Sequence, residues 1–190
     1  ISAIRGIPNI TITSPADSTE TVKTVIAAST FNGPLYIRLT GVMNNPIVYR
    51  SDYNFEIGKA VSLKEGKDVA IIATGTMVAE SIKAGKILEE FGISAAVIDM
   101  HTIKPLDVVA IDKVCASTKL IVTVEEHSII GGLGSAVAEY IVNKNTRVPQ
   151  LMIGINDFFP YAGDYRYLLE QCGLTAPQIA EKIKEKYTLL

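Results

Sequence analysis

The sequence predicts an α/β protein: a three-layer α/β/α sandwich with a mostly parallel five-stranded sheet and one antiparallel edge strand, preceded by a partial α/β domain. Three observations lead there. Apolar runs such as Val69-Ala-Ile-Ile-Ala73 and Leu120-Ile-Val-Thr-Val124 lack the alternation of a half-exposed strand, so helices must cover both faces. From Thr76 onward, stretches of helical periodicity alternate with such strands. The stretch from about Gly41 to Ile57, with Asn44, Asn45, Pro46, Ser51 and Asn54, keeps no period and reads as a linker. The division is therefore residues 1–45, the end of a truncated domain, then a linker at 46–57, then a complete domain at 58–190.

Each element has a local reason. Asn9-Ile-Thr-Ile-Thr13 has the alternation and β-branching of a strand, and Asp17-Ser-Thr-Glu20 is a capping box that starts a helix to about Thr30. Pro34 to Leu39 is a second strand, which fits a right-handed crossover too small to stand alone. After the linker, strands Lys59 to Leu63 and Asp68 to Thr74 flank Lys64-Glu-Gly66-Lys67, a turn short enough to make them antiparallel neighbours. Thr76 to Phe91 is a helix with Val78, Ile82, Gly85 and Leu88 on one face, ended by Gly92. Strand Ser94 to Asp99 follows, then a helix capped by Asp107 and running to about Ser117. Strand Leu120 to Glu125, a glycine turn, helix Leu133 to Asn143 and strand Gln150 to Ile155 come next. Helices near Asp164 to Cys172 and Thr175 to Tyr187 close the chain. No internal repeat or low-complexity segment interrupts the series.

Composition excludes several classes of function. With 48% hydrophobic residues among 190, the chain can bury a core and is not disordered. A formal net charge of -2 gives no broad attraction for nucleic acid or an acidic membrane, so neither is expected as a partner. Cys115 and Cys172 fall in predicted helices without metal-ligand spacing, and read as buried reduced thiols of an intracellular protein. No signal peptide, membrane span or lipidation motif is visible, which points to the cytoplasm. The opening at Ile1, without methionine, leads to the expectation that a segment is missing upstream.

Chemistry concentrates at the carboxyl ends of the strands. Gly131-Gly132-Leu133-Gly134 could set backbone amides and a helix dipole around an anion, or could serve only close packing of strand and helix. Neither the G-x-G-x-x-G pattern nor a phosphate loop is met. His101 and His127 both follow strand ends, on the edge where open sheets bind ligands; hydrogen-bonded loop anchors are the alternative. Glu125 and Glu126 point to opposite faces, so they are not a paired acid and base. Arg38, on an apolar strand, is either ion-paired or a ligand contact. The aromatic stretch Asp157 to Tyr167 is either a cover over the sheet edge or an anchor at a subunit interface.

Several signatures in order resemble transketolase. Ile1 to Asn9 and Ser14-Pro-Ala-Asp17-Ser-Thr-Glu20-Thr21 look like the end of that family's pyrimidine-binding domain. Asp99-Met-His101-Thr-Ile-Lys104-Pro105-Leu-Asp107, Glu126-His127 before the glycines, Gly154-Ile-Asn156-Asp157-Phe and Gly173-Leu-Thr175 look like its complete C-terminal domain. The wording is more similar to transketolase, especially the type split over two subunits, than to deoxyxylulose-phosphate synthase or the β subunit of 2-oxo acid dehydrogenases.

The resemblance implies two-carbon ketol transfer from a ketose phosphate to an aldose phosphate, with thiamine diphosphate and Mg2+ or Ca2+ in the complete enzyme. It also implies a homodimer, a site between subunits, and partnership with the N-terminal region or subunit of the same enzyme. The activating glutamate and the substrate histidines of the family belong upstream of Ile1, and Gly163-Asp164 continues into Tyr165 instead of completing a metal and diphosphate motif. No catalytic, cofactor-binding or metal residue is therefore expected here, and the chain alone is expected to be an inactive scaffold and dimerisation element. Arg38 is the one substrate-binding candidate, three residues before Gly41, where sugar-phosphate transketolases place an arginine. His101, His127, Gly131, Gly132 and Gly134 remain an anion or interface site. Two rival readings stand beside this one: a phosphate- or nucleotide-binding α/β module, and the C-terminal part of a 2-oxo acid dehydrogenase β subunit.

Overall fold

The computed structural model describes residues 1–41, 45–144 and 146–190; Asn44 of the expected linker lies outside them. Among these residues eight strands run in chain order as β1 (Thr11–Thr13), β2 (Leu35–Ile37), β3 (Val61–Lys64), β4 (Val69–Ala73), β5 (Ala95–Asp99), β6 (Thr102–Lys104), β7 (Leu120–Ser128) and β8 (Gln150–Ile155). The helices are α1 (Ser2–Arg5), α2 (Ser18–Ala28), α3 (Met77–Glu90), α4 (Val108–Ser117), α5 (Leu133–Asn143), α6 (Tyr165–Cys172) and α7 (Ala176–Thr188). The larger sheet has the order β3-β5-β4-β7-β8, parallel throughout except for the edge strand β3.

Alternation along the central strand divides the core into two. Val69, Ile71 and Ala73 pack with α3, α6 and α7 through Met77, Val78, Leu88, Leu169, Ile179 and Ile183. Ala70 and Ile72 point the other way, to Ile111 and Val114 of α4 and Leu133, Val137 and Ile141 of α5. Each fully buried Ile or Leu here contributes roughly 1.5–3 kcal/mol by leaving water. This is the three-layer sandwich that the doubly apolar strands require.

Caps fix the helix starts. The Asp17 carboxylate accepts from the Glu20 amide, Asp107 accepts from the amides of Val109 and Ala110, and Asp164 accepts from the Tyr167 amide. Glu20 departs from the simple capping box: its carboxylate accepts from the Ala16 amide, not from that of Asp17. Gly92, at φ 74, and Gly173, at φ 67, take the left-handed turns that end α3 and α6.

Four expectations are corrected. The Lys64 to Lys67 turn does not join neighbours: β3 pairs antiparallel with β5, and β4 lies beyond it. The connection passes over the start of β5 so closely that a Cβ on Gly66 would overlap the Ala95–Ala96 backbone. β6 was not expected, and it pairs antiparallel with β1, so a strand from beyond residue 58 completes the first, three-stranded sheet β2-β1-β6. β7 continues past Glu125 to Ser128, placing His127 within the strand. Cys172 is buried and Cys115 only half-buried; both thiols are free.

Residues 46–57 form no helix or strand, yet they are not a loose tether. The amides of Val48 and Tyr49 donate to Asp17, and Tyr49 itself is buried. The segment is a strap over the junction of the two sheets.

Candidate functional site

The order β5-β4-β7 makes the gap between β4 and β7 the point where the chain changes direction across the sheet, the usual ligand crevice of open α/β folds. Here the chain's own N-terminal unit fills it. The Ser14 carbonyl accepts from the Gly75 amide at 3.1 Å and from the Thr74 hydroxyl at 3.4 Å. The Ser14 amide donates to the His101 carbonyl at 2.7 Å. Arg38, the substrate-binding candidate, donates from its guanidinium to the Glu126 carbonyl at 2.8 Å, a bond across the crevice. Glu126 itself accepts from the Thr76 hydroxyl and from the Tyr165 hydroxyl, turning one residue of the aromatic stretch inward.

The glycine turn does hold an anion, and that anion belongs to the protein. One oxygen of Glu125 accepts from the Leu133 amide and the other from the Gly134 amide, each at 2.8 Å, at the N-terminus of α5. Helix dipole and amides thus stabilise a buried side chain. Burial pushes the Glu125 carboxyl pKa up, and the two amides pull it back. The three glycines each follow from a close approach: Gly131 to Ser2, Gly132 to Glu125, and Gly134 to Met152 and Thr123. Sequence reasoning placed Glu125 and Glu126 on opposite faces but missed the role of Glu125. The available signal was an acid at the end of an apolar strand, eight residues before a helix whose N-cap, Gly132, has no side chain to cap with.

The histidines occupy separate settings and are not hydrogen-bonded to each other. His101 is fully buried, its ring stacked on Phe55 at 4.4 Å between centroids, and Nδ1 meets the Thr102 hydroxyl at 2.9 Å. Burial lowers its pKa to about 4, with the Lys59 main chain countering only part of the effect. His127 is half-buried; its Nδ1–H donates to the Ser128 carbonyl at 2.8 Å, and Nε2 lies 3.1 Å from the Ile1 nitrogen. Burial lowers its pKa too. In the aromatic stretch, Phe158, Phe159, Tyr161 and Tyr167 are exposed.

Residues 58–179 match the family model described as transketolase, C-terminal domain. The chain belongs to this family. A Methanocaldococcus jannaschii protein named as a transketolase C-terminal section is 43% identical over 188 residues, 98% of this chain and 58% of that protein. The 6-deoxy-6-sulfo-D-fructose transketolase subunit SqwH of a Clostridium species is 41% identical over 187 residues, 97% of this chain and 57% of the subunit. A 1-deoxy-D-xylulose-5-phosphate synthase from Chlorobium phaeovibrioides is 38% identical over 191 residues, 99% of this chain and 30% of the synthase. Among solved structures, a split-gene transketolase described as an inactive β4 tetramer superposes with a TM-score of 0.90 at 40% identity, over 99% of this chain and 60% of that one. The chain thus spans less than two thirds of the length of each.

A transketolase-family cofactor would need a diphosphate cradle and a metal site. Among the described residues no group of three or more His, Cys, Asp or Glu side chains is placed to hold a metal ion. The α5 amides, the ready anion donors of the turn, are taken by Glu125. Among the described residues, neither that metal-holding group nor free α5 amides are at hand for thiamine diphosphate with its metal. No helix among the described residues is long and apolar enough to cross a membrane.

Proposed function

We propose that this chain is the C-terminal part of a thiamine-diphosphate-dependent transketolase, transferring two-carbon units between sugar phosphates, and that it acts as scaffold and dimerisation element. The observation that carries the reading is the filled crevice. Ser14, Arg38 and Glu125 satisfy from within the donors and acceptors that a bound ligand would use. The same observation disfavours a phosphate- or nucleotide-binding module. Thiamine diphosphate, with Mg2+ or Ca2+, would then be held by the N-terminal region or subunit, and the chain by itself would be inactive. The exposed Phe158, Phe159 and Tyr161 support a subunit contact, in line with a homodimer. A cytoplasmic location accords with this metabolism.

Gly41 bears on the substrate. A Cβ there would meet none of the described residues within 4 Å, so they leave room for the first carbon of the arginine that sugar-phosphate transketolases place at this point. Its replacement by glycine supports a substrate whose terminal group differs from an ordinary pentose phosphate. The Clostridium relative is named for such a sugar.

The test is a ketol-transfer assay with thiamine diphosphate and magnesium, run on this chain alone and on the chain assembled with its N-terminal partner. Turnover only in the assembly is expected. Turnover by the chain alone would overturn the proposal.

A further inference from the structure

Two carboxyl groups meet in the interior where α2, the 46–57 strap and β5 converge. Glu20 and Asp99 are each fully buried, and among the described residues neither takes part in an ion pair. Their hydroxyl donors come from neighbouring rings. The Tyr49 hydroxyl donates to Asp99 Oδ2 at 2.8 Å and the Tyr53 hydroxyl to Glu20 Oε1 at 2.8 Å, while the two tyrosine rings stack 3.9 Å apart at 15°. The two carboxyl groups also lie within hydrogen-bonding reach of each other. Two negative charges in so apolar a place cannot both persist.

The hydrogen bonds assign the proton. Glu20 accepts on both oxygens, from Tyr53 and from the Ala16 amide at 2.7 Å, the pattern of an ionised carboxylate. Asp99 accepts on Oδ2 alone, and its buried Oδ1 has no donor. We propose that Asp99 is a neutral carboxylic acid whose Oδ1–H donates to ionised Glu20, a proton latch joining the N-terminal unit to the end of β5. This goes beyond the transketolase reading and does not rest on it.

The other charged groups around the pair leave the proton in place. Asp17, on the same helix start as Glu20, is occupied by three amides, those of Glu20, Val48 and Tyr49. Its charge, like that of Glu20, disfavours ionised Asp99. Lys23, beyond Tyr53, is engaged by exposed Asp52 and the Tyr53 carbonyl. Burial first, and the charge of Glu20 second, hold the Asp99 carboxyl well above its usual range; burial raises Glu20 as well. Both tyrosine hydroxyls are pushed upward, by burial first and then by the acids, so they stay donors.

The latch has a direction in pH. Folded Asp99 keeps a proton that the unfolded chain releases above its ordinary value, about 3.9. The native state therefore binds more protons across the window between the two values, and stability falls as pH rises through it. Above the folded value the junction holds two adjacent charges.

Infrared difference spectroscopy of the assembled protein, labelled with 13C-carboxyl aspartate, tests this. An aspartate band of a neutral acid is expected at neutral pH, lost in Asp99→Asn. In Glu20→Gln the band is expected to shift in frequency, because the Asp99 acid loses the ionised acceptor of its proton while burial keeps it neutral. The unfolding midpoint of the wild type should fall relative to Asp99→Asn as pH rises, because asparagine donates to Glu20 at any pH. No neutral-acid band in the wild type, or a band whose frequency Glu20→Gln leaves unmoved, would overturn the proposal. The wild-type and Glu20→Gln spectra decide it even if Asp99→Asn does not fold.

Discussion

The carboxylate of Glu125 occupies the space that a side chain at Gly132 would need; a Cβ there would overlap it. The backbone at Gly132, with φ -88, is not in the left-handed region, so the requirement for glycine is one of room. Gly132→Ala should therefore displace Glu125 from the Leu133 and Gly134 amides and cost about 1–3 kcal/mol, as other overpacking changes do. Urea denaturation measures it. In a double-mutant cycle with Glu125→Ala the two losses should not add, because the second change removes the obstacle that the first creates.

Much of this fold can be read from the sequence because its determinants are local. Asp17, Asp107 and Asp164 cap the helices that follow them, and the apolar Val69 to Ala73 run is buried on both faces. What escapes is long-range. Thr102-Ile-Lys104 is too short to display a period, and its strand character comes from β1, some ninety residues away. The partner of β3 is equally hidden: a tight turn announces a hairpin, and only the packed sheet reveals that β5 lies between. At the site, the glycine turn announced amides open to an anion, but the occupant is contributed by the preceding strand. Asp99 gave no signal, since its acid partner comes from residue 20.

His101 should make the protein lose stability in mild acid. Its folded pKa, about 4, lies below the ordinary histidine value near 6.5, so the unfolded state binds more protons between the two and stability falls as pH drops through that window. The full shift corresponds to about 3 kcal/mol, an upper bound. His127, also lowered by burial, acts in the same sense. Comparing unfolding midpoints of the wild type and His101→Gln between neutral pH and pH about 4 isolates the His101 part. Parallel curves would show that His101 is not held neutral by burial.

Arg38 is predicted to act on stability and not on substrate. Its guanidinium bonds the Glu126 carbonyl and bridges the N-terminal unit to the end of β7. Arg38→Ala should lower the unfolding free energy by about 1–2 kcal/mol, the range for a hydrogen bond from a charged donor. The KM of the assembled enzyme should stay within about twofold, since uniform binding is not lost. A large rise in KM at unchanged stability would return Arg38 to the substrate site.

Gly66 should be the least replaceable residue of the β3–β4 connection. A Cβ there meets main-chain atoms of Ala95 and Ala96, not the yielding end of a side chain, and both alanines belong to the strand that β3 and β4 flank. Relief would require β5 to move within the sheet or the connection to lift from it, which would pull β3 out of register. Gly66→Ala should cost at least about 2 kcal/mol by overpacking. At Gly41, where a Cβ would meet none of the described residues within 4 Å, the same substitution should be nearly neutral. Thermal unfolding of the two variants side by side separates the close crossing from any general effect of replacing glycine. Equal midpoints would mean that the connection does not run against β5.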